Sequence, residues 1–90
     1  MQQYELTPIF KPDVTEEKID GSIKNLKLKV LHRQIWGKRL LAYPINDYKE
    51  GMYAFFVVEL APEAIVTTER AMQLNDEVLR HLLVRAEKEL

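Results

Sequence analysis

Tyr4, Leu6, Pro8 and Phe10 occupy every second position of the opening segment, and this alternation predicts a first strand with one apolar side. Pro8 has no N–H, so its place in the strand cannot require a ladder donor. Lys11-Pro12-Asp13 breaks the strand. Asp13 followed three residues on by Glu16 resembles a capping box, with acids clustered in the first turn. Val14, Ile19, Ile23 and Leu26 fall near helical spacing and predict a short amphipathic helix to about Asn25. Gly21 inside it weakens it by roughly 1 kcal/mol relative to alanine.

Alternation returns at Lys27-Leu28-Lys29-Val30-Leu31 and opens a long second strand, predicted to run to Ile45. Gly37 in its middle predicts a bulge or bend. Residues 46–51 read as a polar hairpin connection, and residues 52–60 as a third strand apolar on both faces, as a central strand is. Ala61-Pro62-Glu63 is expected to start a second helix, with proline in its first turn. Ile65, Ala71 and Met72 are expected to form its inner stripe, with Val66 a further candidate. Asn75-Asp76-Glu77 interrupts, and residues 78–85 read as a fourth strand before a short charged tail.

The order β-α-β-β-α-β predicts an α+β, ferredoxin-like sandwich: a four-stranded antiparallel sheet with two helices on one face. Residues 1–90 make a single domain, with strands one and three central and strand two at an edge. The composition, 47% hydrophobic and 30% charged, excludes a disordered chain. With no cysteine, neither a disulfide nor a thiolate metal site can form. No apolar run approaches the about 18 residues of a membrane span. The opening Met1-Gln2-Gln3-Tyr4-Glu5 lacks signal-peptide character, so the protein is expected to work where it is made unless a targeting segment has been removed.

A formal net charge of −1 hides strong segregation. Residues 21–46 contain no Asp or Glu but carry Lys24, Lys27, Lys29, Arg33, Lys38, Arg39 and His32. All 14 acidic residues lie outside that stretch. Phosphate attraction follows the local field, so one basic rim could bind RNA on an otherwise acidic protein. The alternative is that the lysines only keep an exposed edge strand from aggregating.

The chain offers little for catalysis. His32 and His81 stand about fifty residues apart without carboxylates at metal spacing, and Ser22 is the only serine. Three scattered glycines make no phosphate-cradling loop. Glu16, Glu17, Glu87 and Glu89 read as solvated acids. No enzyme activity, cofactor or metal is expected.

Several segments resemble one family: Tyr4-Glu5 with Lys11-Pro12-Asp13, then Trp36-Gly37-Lys38-Arg39-Leu40-Leu41-Ala42-Tyr43-Pro44-Ile45. Tyr48-Lys49-Glu50-Gly51-Met52-Tyr53 and Leu74-Asn75-Asp76-Glu77-Val78-Leu79-Arg80 complete the set. Over nearly the whole chain they resemble the bacterial small-subunit ribosomal protein six family. The resemblance implies a structural protein that binds the central domain of small-subunit ribosomal RNA together with ribosomal protein eighteen. It also implies a cytoplasmic ribosome, or a plastid one. Lys38, Arg39 and Tyr43 match the family's recurrent string and take the RNA-contact expectation first. Lys27, Lys29, His32 and Arg33 join them from charge alone. A bulge at Gly37 would let Lys38 and Arg39 both reach phosphates, and Tyr43 or Trp36 could stack on unpaired bases.

Three departures stand out: residues 15–36 are shorter than usual for the family, Gln2 and Gln3 replace frequent basic residues, and a longer C-terminal extension is missing. Tyr53, Phe55 and Val57 could line an open sheet face as a protein-partner groove, or belong to the core. No membrane or small-molecule substrate is expected, and the free protein is expected to be monomeric. The competing expectation is a ferredoxin-like regulatory or ligand-binding module that dimerises through its sheet. An acylphosphatase-like hydrolase fits poorly, because Lys11-Pro12-Asp13 puts an acid where phosphate would sit.

Overall fold

The computed structural model describes residues 2–87, so the expectation for Glu89 lies outside the described residues. Its elements run β1 (Gln2–Phe10), α1 (Glu16–Lys24), β2 (Lys29–Ile45), β3 (Tyr48–Leu60), α2 (Ala64–Leu74) and β4 (Val78–Arg85). All strand pairs are antiparallel, in the order β2-β3-β1-β4. This is the predicted ferredoxin-like sandwich.

Strand periodicity explains where the core lies. Tyr4, Leu6, Pro8 and Phe10 of β1 are buried. With Ala54, Phe56, Val58 and Leu60 of β3 they face the helices, where Ile19 and Ile23 of α1 and Met72 of α2 close the core. The β1–β3 pairing lapses at Thr7 and Pro8 and resumes in the same register at Ile9, which accommodates the missing proline N–H.

Helix α1 starts later than the Asp13–Glu16 spacing suggests. Pro12 and Asp13 lie in a turn closed by the Val14 N–H donating to the Lys11 carbonyl at 3.1 Å. Thr15 is therefore the cap, its hydroxyl accepting from the Lys18 N–H at 3.3 Å. Buried Val14 and Ile19 stand at the two staple positions around that cap.

The start of α2 is also delayed. The Ala64 and Ile65 N–H groups donate to the Ala61 and Pro62 carbonyls, so Pro62 and Glu63 belong to a preceding turn. Thr68 and Met72 form its buried stripe, flanked by half-buried Ala64, Ile65 and Ala71. Val66 points to solvent at 64% exposure and does not join that stripe. The polar connection at residues 46–51 contracts to two residues. Asn46 and Asp47 both take positive φ, 49° and 69°, flanked by the pair Ile45–Tyr48. Such a two-residue turn matches the twist of its strands, so residues 48–51 join β3.

Candidate nucleic-acid interface

The site is built from a mismatch in strand lengths. β3 pairs with β1 only as far as Met52, opposite Phe10, while its pairing with β2 continues to Tyr48. Beyond Met52 the β2–β3 hairpin is a two-stranded ribbon, the arrangement in which strand twist is largest. It folds back over the helix-free face. There an Arg80 Nη of β4, the opposite edge of the sheet, donates a hydrogen bond to the Tyr43 hydroxyl. The crossing needs Gly51. A Cβ there would lie 2.5 Å from Ile9 Cγ2 and 3.3 Å from Leu41 Cδ2.

Alternation along β2 sorts its cations onto two faces. Lys29, His32 and Arg39 stand opposite Glu59, Val57 and Gly51, on the helix-free face. Arg33 and Lys38 stand opposite Phe56 and Met52, on the helix side. The expectation that the basic residues share one surface therefore divides. They share one edge strand but diverge in direction. The bulge at Gly37 is present, with φ +91° and a register shift between Ile35 and Gly37. It precedes Lys38 and Arg39, which pair in step with Met52 and Gly51 and so point apart. Lys27 is not on the strand. It lies in the α1–β2 connection, beside a groove lined by Leu26, Glu63, Ala64 and Thr67.

Arg33 is neutralised. Its Nε and Nη2 donate to the two Asp20 oxygens at 2.7 and 2.9 Å, and Nη2 also donates to Glu16 at 3.1 Å. The hydrogen bonds with Asp20, then Glu16, push its pKa above the ordinary value, so the guanidinium stays charged and occupied. Lys29 and Lys38 carry no ion pair among the described residues, and Arg39 makes one long contact, to the Trp36 carbonyl at 3.5 Å. These are free, exposed cations.

The helix-free face also holds an aromatic group that sequence placed only loosely. Trp36 stacks on Phe55 at 5.6 Å and 8° yet remains 40% exposed, and His32 meets Phe55 edge-on at 6.3 Å. Phe55 and Tyr53 are half-buried, Val57 is buried, and Leu82 and Val84 of β4 are exposed. Sequence reasoning placed Arg80 in the resembling Leu74–Arg80 segment but gave it no binding role, because one arginine beside His81 in a largely apolar strand makes no charge run. The period-two set Arg80, Leu82 and Val84 was the available signal.

A ferredoxin-like sandwich with exposed cations on an edge ribbon and stacked rings on an open sheet face presents binding surfaces. The family model described as Ribosomal protein S6 matches residues 3–85. The chain is 37% identical to the small ribosomal subunit protein bS6 of Desulforamulus reducens, over 94% of this chain and 97% of that one. The crystal structure of 30S ribosomal protein S6 from Thermotoga maritima superposes with a TM-score of 0.80, at 22% identity, over 94% of this chain and 87% of that one. The chain belongs to the ribosomal protein S6 family. It is a structural, non-enzymatic protein of the small ribosomal subunit.

Proposed function

We propose that the protein binds the central domain of small-subunit ribosomal RNA jointly with ribosomal protein eighteen, using the β2–β3 ribbon. The observation that carries this is an edge strand free of acidic residues, on which Lys38 and Arg39 are exposed, opposite Met52 and Gly51, with no ion pair among the described residues, while Lys29 is exposed but faces Glu59 across the ladder. Counterion release makes such cations effective against a phosphate backbone despite the net charge of −1. Lys38 and Arg39, pointing to opposite sides of the ribbon, suit a backbone that runs past its edge. Lys29 and His32 extend the surface along β2, while Arg33 and Lys27 contribute least. The protein partner sits on the aromatic part of the helix-free face, around Trp36 and Phe55. Free of both, the chain is a monomer.

The test is titration of a central-domain transcript with the protein and purified protein eighteen over a range of salt. The double variant K38E/R39E should bind much more weakly, with a salt slope reduced by about 0.7–0.9 for each lost phosphate contact. Its circular dichroism should be unchanged. Equal affinity and slope for variant and parent would refute the assignment.

A further inference from the structure

We infer that Arg80 of β4 is a second phosphate-binding position, so that the RNA surface spans the end of the open sheet face instead of keeping to the β2 edge. This rests on the RNA-binding reading above. In the ladder, Arg80 pairs with Ile9, and Ile9 pairs with Tyr53, which in turn faces Gly37. That transverse row crosses all four strands one same-face step from Arg39, on the face carrying Arg39. The ribbon closes the gap, since one Arg80 Nη donates to the Tyr43 hydroxyl.

Arg80 differs from Arg33 in that no carboxylate among the described residues holds it, and from exposed Arg39, Arg70 and Arg85 in being tied to a side chain of the opposite edge strand. Arg33 has its donors committed to Asp20 and Glu16. Arg80 is exposed, and among the described residues no carboxylate pairs with it. A guanidinium has five N–H donors, and the tyrosine hydroxyl occupies one of them. The remaining fork is held in place yet open, the condition for bidentate recognition of phosphate. Beside it, Thr7, Ile9 and Leu82 line a shallow groove over β1 and β4. Tyr43, a residue 57% exposed, is then chiefly the group that orients Arg80.

Salt-dependent titration of the central-domain transcript, with protein eighteen present, separates the possibilities. R80Q keeps a donor near Tyr43 but loses the charge. It should weaken binding about tenfold or more, the range of hydrogen bonds to charged groups. Its salt slope should fall by about 0.7–0.9, one phosphate's worth. R80K should keep the slope while losing affinity, and Y43F should lower affinity modestly with the slope intact. A weaker R80Q complex with an unchanged slope would make Arg80 a structural tie only, overturning the inference. So would unchanged R80Q binding beside a failing K38E/R39E, which leaves the broader function standing. If the parent protein does not bind the transcript at all, both fall together.

Discussion

At the scale of single residues, three glycines do three different things. Gly37 holds a positive φ at the β2 bulge. Gly51 lets the ribbon pass against Ile9, where a Cβ would sit 2.5 Å from a methyl carbon. Gly21 does neither, since a Cβ there would meet nothing within 4 Å, and it costs α1 helix propensity without return. Replacing Gly21 with alanine should therefore stabilise the protein by about 0.5–1 kcal/mol in urea unfolding. The same change at Gly51 should destabilise it by about 1–3 kcal/mol, as overpacking does. Equal effects would mean that the ribbon does not rest on Ile9. The weakening at Gly21 was legible in sequence, because propensity is local. The capture of Arg33 was not, since its carboxylates lie 13 and 17 residues away on a helix whose placement only the fold decides.

At the scale of elements, strands were easier to read than helix starts, for a physical reason. A period of two survives in a short window, so β1, the long β2 and β4 stood out. Both helix starts were displaced by a proline turn. Lys11-Pro12-Asp13 and Ala61-Pro62-Glu63 each spend residues closing a loop before regular helix begins. The hairpin was underestimated in the opposite sense, because Asn46 and Asp47 alone supply the left-handed positions. Glycine holds φ of 69° more comfortably than aspartate and is favoured second in such turns. D47G should raise the thermal midpoint slightly. A clear fall would show that the Asp47 side chain supports the ribbon in its own right.

At the scale of the whole molecule, charge segregated along a sequence is not charge segregated in space. The acid-free stretch was visible, and its location on an edge strand followed from topology. The distribution of its side chains over two faces followed from the pleat, and the contribution of β4 from the ribbon's return across the sheet. Only the last of these needs three dimensions outright. The two layers thus differ in character. On the helix side Arg33 is satisfied by α1, and Lys38 at the start of the ribbon is the exposed cation. The other side carries stacked rings in its middle and, at one end, guanidinium groups with no carboxylate ion pair among the described residues.

That arrangement makes the protein its own optical probe. Trp36 is the sole tryptophan, parallel to Phe55 and partly open to water. Anything that covers the centre of the sheet removes water from the indole and should shift its emission to shorter wavelength. Nucleotides gripped only near Tyr43 should leave the colour almost as it was. Adding protein eighteen and transcript in turn would therefore give two spectrally distinct steps from one unlabelled chain.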